Sequence, residues 1–502
     1  MSRTVVFIHG WSVTDTSTYG GLPTRLAAEG LLRDEALDLR DVWLGRYVSF
    51  RDEVRMEDLS HAFEKAVRRE LADVLARGER FGVITHSTGG PVARDWWLRY
   101  YASRRGGEAC PMSHLVMLAP ANFGSALAQL GKSRVGRLKS WFEGVEPGQG
   151  VLDWLEHGSP EAWDLNEAWI RGRFGKPEPS GVFPFVLTGQ TINRKLYDHV
   201  NSYTGEIGSD GVVRVPAANL NAQLLRLTQR GPGPEGDTAP TAQLEIVGGR
   251  VMRAPRTAFR LISGASHSGE ERGILRSVEP TRDGRGAEVV DAVRRCLSVR
   301  TAAEYDELTD AFATETASVH ERERVEIEDV RFFPDRVHIH DRMSLLIFRL
   351  RDSAGYPVED FDLELTGFEH DPNLLPHGFF EDRQRNQRAR HTLTYFVHHD
   401  VMAGCPVIAD PRGGPALRPT QPGVPTLGLR IRPRPQDGFV HFLPCEIEAQ
   451  QKLVQRALLP DQTTLVDIEL VRARRTGVFR LSRAPDGTRS FADDPPGAVL
   501  ED

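Results

Sequence analysis

Cysteine is scarce in this chain, with four in 502 residues: Cys110, Cys296, Cys405 and Cys445. Spaced so widely, they fit neither a zinc-ligand pattern nor a disulfide framework, and buried free thiols are expected. Long apolar runs are missing as well. None approaches the roughly 18 residues that span a bilayer. There is no dense Lys/Arg block, and 63 basic residues against 70 acidic ones leave a net charge of −7. That balance argues against a nucleic-acid partner. No signal-peptide pattern opens the chain, because Ser2-Arg3 leads straight into Thr4-Val5-Val6-Phe7-Ile8, which reads as a buried strand. A cytoplasmic protein, or one exported without a cleaved signal, is the expectation.

What is present is ordinary globular material, 40% hydrophobic and 26% charged. At roughly 150 residues per domain, two or three domains are expected. Short apolar runs recur at residues 4–8, 81–84, 115–119, 182–187 and 258–262, with a weaker one at 42–48. Helix-like segments at 22–31, 56–75, 91–101 and 287–297 alternate with them. Such alternation predicts an α/β fold with a doubly wound, mostly parallel sheet whose ligands bind beyond the carboxyl ends of its strands.

The 81–84 run ends in Thr85-His86-Ser87-Thr88-Gly89-Gly90, and a helical pattern follows. A strand, a sharp turn of small residues and a helix lift a serine hydroxyl off the sheet, as a nucleophile elbow does. The first glycine of the usual G-x-S-x-G is replaced here by Thr85. A serine hydroxyl needs a base within reach and an acid to orient that base. Two later loops supply them in the expected order. Gly208-Ser209-Asp210-Gly211 follows the strand near residue 185, and Gly264-Ala265-Ser266-His267 follows the last core strand. The candidate catalytic residues are therefore Ser87, Asp210 and His267, with Asp198 the second choice of acid. His9 and His86 flank the site in places better suited to structural hydrogen bonds. Candidate oxyanion donors are the amides of Thr88 and Trp11.

Residues 123–180 interrupt the rhythm and hold four of the eight tryptophans. They read as a lid lining an apolar pocket, with Trp141, Phe142 and Trp154 as candidates, or as a helical excursion packed on the sheet. Residues 221–257 read as an extra hairpin before the last core strand. From about residue 300 tryptophan is absent, and the expected layout is a catalytic domain at 1–300, a helical linker at 301–322, a β-sandwich-like domain at 323–482 and a disordered tail at 483–502. Scattered acids (Asp352, Asp360, Asp362, Asp371) and histidines (His338, His340, His398, His399) are more readily surface groups than metal ligands.

The first 300 residues resemble the lipase branch of the α/β-hydrolase superfamily. The likeness rests on Phe7-Ile8-His9-Gly10, Thr85–Gly90, Leu118–Ser125, His157-Gly158-Ser159-Pro160, Asp164-Leu165-Asn166, Gly208–Val213 and the His267 loop. The nearest groups are GPI-inositol-deacylase-like and lecithin–cholesterol-acyltransferase-like lipases, among them some bacterial phospholipase effectors. The resemblance implies ester hydrolysis, of no one ester in particular, with no metal or organic cofactor; the ordered triad beneath a tryptophan-rich insertion makes an acyl ester of a lipid, a phospholipid or an acylglycerol, the expected substrate. Acyl transfer, thioester hydrolysis and an inactive binding role stay open. By analogy alone, the C-terminal half is expected to make transient contact with a membrane surface or a protein partner.

Overall fold

The computed structural model describes residues 3–9, 16–32, 35–47, 53–102, 109–129, 148–192, 206–230, 241–282, 284–328, 336–450, 456–474 and 487. Six strands form the first sheet: β1 (Arg3–His9), β2 (Leu37–Trp43), β3 (Phe81–His86), β4 (Met112–Leu118), β5 (Phe183–Thr188) and, later in the chain, β9 (Ala258–Leu261). Their order is β2-β1-β3-β4-β5-β9, and every pairing is parallel. Side chains alternate across a strand, so β1 sends Val6 and Ile8 into one core and Val5 and Phe7 into another. Helices Met56–Glu70 and Gly89–Trp97 cover the first face. Helices Leu22–Glu29, Ala287–Ser298 and Ala302–Arg322 cover the second. Burial on both faces explains why these strands read as continuous apolar runs.

Two expectations shift. The weak strand expected at 42–48 lies at Leu37–Trp43, in register with β1 from Arg3↔Leu37. It is an edge strand, and its alternate positions Asp38 and Arg40 bond to Thr4 and Asp73, so no apolar run marks it. The helix expected over 56–75 breaks at Leu71 into Met56–Glu70 and Ala72–Ala76.

Between β5 and β9 lie β6 (Gln223–Gln229), β7 (Ala242–Ile246) and β8 (Met252–Arg253). β6 and β7 pair antiparallel, as the hairpin reading requires. Their other neighbours lie far downstream. β10 (Val325–Glu328) and β11 (Arg336–Ile339) form a separate ribbon, and then come β12 (Met343–Asp352), β13 (Phe361–Thr366), β14 (Phe380–Arg385) and β15 (Thr392–His398). β16 (Thr426–Pro433), β17 (Val440–His441), β18 (Cys445–Gln450), β19 (Gln462–Leu470) and β20 (Ala473–Arg474) complete the set. The second sheet has ten strands, ordered β13-β16-β18-β7-β6-β19-β12-β15-β14, with β8 beside β6. It is mixed, since β19 runs parallel to both β6 and β12 while most other pairs are antiparallel.

This sheet curls around its own core, bringing Leu363 and Ile431 from one end onto Phe348 and Val397 from the other. Its other face packs on the half of the molecule built around the first sheet. Leu345 and Ile347 of β12, Phe396 of β15 and Leu465 of β19 belong to the core of the first sheet, whereas Leu346, Phe348 and Val466 belong to the second. Residues 231–240, within the expected hairpin, and 475–482, at the end of the expected β-sandwich-like domain, lie outside the described residues.

Candidate active site

β3 delivers Ser87 at the carboxyl edge of the first sheet. Ser87 adopts φ 52°, a left-handed conformation unusual for a residue with a side chain. Such a position costs about 1–2 kcal/mol and needs support. The support is tight packing. A Cβ on Gly90 would stand 2.9 Å from Pro120 Cβ, and one on Gly89 would stand 3.2 Å from Thr85 Cβ. Thr85 takes the place of the usual first glycine without strain because it is still an ordinary strand residue, paired with Ile8 and fully buried. The amide of Ser87 donates to Leu118 O at 3.0 Å. Thr88 then opens the helix with φ −60° and ψ −20°. No acceptor among the described residues takes its amide.

The structure brings Ser87, His267 and Asp210 together in one chain of hydrogen bonds. His267 Nε2 lies 3.1 Å from Ser87 Oγ, and His267 Nδ1 lies 2.9 Å from Asp210 Oδ2. Asp210 is fully buried. Its Oδ1 accepts from the amides of Val212 at 3.0 Å and Val213 at 2.7 Å. The two loops also meet through main chain, since His267 N donates to Asp210 O at 2.9 Å. With Nδ1 donating to the carboxylate, Nε2 is left free to accept from the serine hydroxyl.

His86 supports His267. Its Nε2 lies 3.2 Å from His267 O, and the two rings are 4.8 Å apart. Burial, and then the neighbouring His267, push His86 down to about 3, so a neutral ring donates that bond. The start of the His267 loop is pinned by Glu323, which ends the helix Ala302–Arg322. Its carboxylate accepts from Ser263 Oγ at 2.7 Å, Gly264 N at 2.8 Å and Gln190 Nε2 at 2.9 Å. Gly189 has no room for a side chain, because a Cβ there would fall 1.9 Å from Ala265 O.

Asn122 and Asn166, two residues of the resemblance, flank a fully buried Arg94 on the elbow helix. Arg94 donates to Asn122 Oδ1 at 3.1 Å and Asn166 Oδ1 at 3.0 Å, and Asn122 Nδ2 reaches Ala218 O at 2.7 Å. Burial pulls this guanidinium down to about 9. The cluster ties the helix after Ser87, the loop after β4 and the helical turn Val215–Ala218 into one unit. Sequence reasoning passed over Arg94 because a lone arginine in a helical pattern carries no signal of its burial.

Other expectations fare differently. Trp11, Trp141, Phe142 and Asp198 lie outside the described residues. Trp154 is buried, and lines a charged cavity of about 400 Å³ with Leu98 and Arg99, just past the far end of the helix that begins at Gly89. Among the described residues no group of three or more His, Cys, Asp or Glu is arranged to hold a metal. The scattered acids serve turns and ion pairs: Asp352 accepts from Ala354 N and Tyr356 N, Asp371 from Asn373 N, and Asp360 and Asp362 both hold Arg434. No helix among the described residues is long and apolar enough to cross a membrane.

No family model matches the chain, and no curated protein matches it. Solved structures do. The phospholipase PlaB from Legionella pneumophila is 39% identical, with each chain covered in full and a TM-score of 0.81. The same protein in complex with thio-NAD is 38% identical over the same full coverage, again with a TM-score of 0.81.

Proposed function

Since this chain belongs to the family of the Legionella phospholipase PlaB and is a lipolytic hydrolase of the α/β-hydrolase fold, we propose that it cleaves phospholipid acyl esters through a Ser87–His267–Asp210 triad and an acyl-enzyme. The observation that supports this reading is the unbroken hydrogen-bond chain from Ser87 Oγ to Asp210.

In the first half-reaction, Ser87 Oγ attacks the ester carbonyl carbon while its proton passes to His267 Nε2. Asp210 stabilises the imidazolium that forms. The carbonyl oxygen, now an oxyanion, is received by the amide of Thr88 and by one from the loop after β1, for which Trp11 is the candidate. Each such donor lowers the barrier by about 3–4 kcal/mol. Collapse breaks the ester C–O bond, and the departing alkoxide takes the proton from His267. In the second half, water gives a proton to His267 and attacks the acyl-serine; collapse breaks the acyl–Oγ bond, and His267 returns that proton to Ser87 Oγ as the fatty acid leaves.

The test is turnover on glycerophospholipid, triacylglycerol, short nitrophenyl esters and acyl-CoA, with products identified by mass spectrometry. The proposal expects fatty acid plus lysophospholipid from the wild type and neither from Ser87→Ala. Exclusive turnover of acyl-CoA, or acyl groups carried to an acceptor other than water, would replace it with a thioesterase or an acyltransferase.

A further inference from the structure

The acid loop rests its back on the ten-stranded sheet. Arg214 follows directly after the turn that holds Asp210, where Asp210 N donates to Val213 O at 3.1 Å and Ser209 bridges Arg214. The Arg214 side chain is 1% exposed. Its Nε and Nη2 reach the two oxygens of Glu206 at 2.8 and 2.6 Å, closing the loop on itself. Its Nη2 also donates to Asp382 of β14, and the guanidinium lies 4.4 Å from the ring centre of Phe396 on β15. Gly208, at φ +72°, is pressed to the same surface, and a Cβ there would stand 2.3 Å from Met343 Cγ of β12. Asn219 Nδ2 donates to Asp461 O at 2.7 Å, and Thr463 Oγ1 donates to Pro216 O at 2.8 Å.

A carboxylate that orients a histidine must be held to within a fraction of an ångström. Val213, which contacts the Asp210 side chain through its amide and the Asp210 amide through its carbonyl, is the residue next to Arg214. Whatever fixes Arg214 therefore fixes Asp210. Glu206 belongs to the same loop as Arg214, so their pair ties the loop only to itself. Asp382 belongs to the sheet and can.

We propose that Asp382, acting through Arg214, is a positioning residue that the C-terminal sheet contributes to the hydrolase site. It holds the acid loop so that Asp210 meets His267. This inference rests on the triad reading above. On it, the second sheet acts on the chemical step itself, independently of any contact with a lipid surface.

The test uses the full chain and a soluble short-chain nitrophenyl ester, so that no lipid interface enters. Asp382→Asn keeps the side-chain shape and removes the charge. Arg214→Lys keeps a charge and removes the forked contact. Both should lower kcat by about tenfold or more with KM within about twofold, and Ser87 should react with a fluorophosphonate more slowly by the same factor. Asp382→Glu should recover most of the loss. Arg388→Ala, which cuts the ion pair between a largely exposed arginine and Asp153, should leave kcat unchanged. Rates are counted per folded molecule, from the near-UV circular dichroism signal. Normal kcat and labelling rate in Asp382→Asn and Arg214→Lys would overturn the inference, as would an equal loss in Arg388→Ala. Failure of the wild type to be labelled at Ser87 would instead overturn the triad reading.

Discussion

Asp210→Asn is the substitution whose effect the geometry specifies most closely. The carboxylate uses both oxygens: Oδ1 accepts from Val212 N and Val213 N at 3.0 and 2.7 Å, and Oδ2 faces His267 Nδ1 at 2.9 Å. An asparagine side chain has only one acceptor oxygen. Two main-chain donors hold that oxygen in place, so the NH2 group must face His267. Nδ1 then becomes an acceptor, and the ring proton moves to Nε2. That nitrogen lies 3.1 Å from Ser87 Oγ and can no longer take the serine proton. In serine hydrolases with this arrangement the exchange lowers kcat by about 10⁴, or about 5 kcal/mol in the barrier. The side chain keeps its volume, so the fold and KM should change little. Turnover of a nitrophenyl ester, read beside near-UV circular dichroism, measures this. A folded Asp210→Asn protein within about tenfold of wild-type kcat would refute the tautomer argument.

Three other outcomes follow from the packing and charge. Gly208→Ala forces a side chain into a left-handed position against Met343, which should cost about 1–3 kcal/mol in urea denaturation, and an unchanged midpoint contradicts this. Trp163→Ala removes a buried indole stacked 4.2 Å from the Arg349 guanidinium on β12, and should cost about 3–5 kcal/mol; a loss below about 1 kcal/mol contradicts the shared core. Burial works against a charge on His398, but hydrogen bonds to Asp341 and Glu381 outweigh it and raise the imidazole to about 9. Its folded value lies above the unfolded 6.5, so the stabilisation, about 3 kcal/mol, is complete below pH 6.5 and lost as pH rises through 9. The Tm of the wild type should therefore fall more steeply across that window than that of His398→Gln, and equal slopes would sink the idea.

Strands buried on both faces announce themselves as apolar runs, which is why β1, β3, β4, β5 and β9 were legible. The edge strand β2 was misplaced because three of its seven positions are charged. β14, Phe-Glu-Asp-Arg-Gln-Arg, carries no apolar pattern for the same reason. The hairpin β6–β7 was recognised, but not its destination. Pairing between β6 and β19 joins residues such as Leu224 and Leu465, and nothing local marks a partner so distant. Much the same holds at the site. Ser87, Asp210 and His267 stand in loops whose small neighbours and order after strands single them out. Arg214 and Asp382 are 168 residues apart, and each alone looks like a surface charge. The residues expected at the second oxyanion donor and over the pocket, Trp11, Trp141 and Phe142, fall outside the described residues.

The proposed nucleophile can be identified directly by peptide mapping after reaction with a fluorophosphonate. The adduct should appear on the peptide that contains Ser87, at one per chain, and vanish in Ser87→Ala. An adduct on another residue, or one that persists undiminished in Ser87→Ala, would contradict the triad.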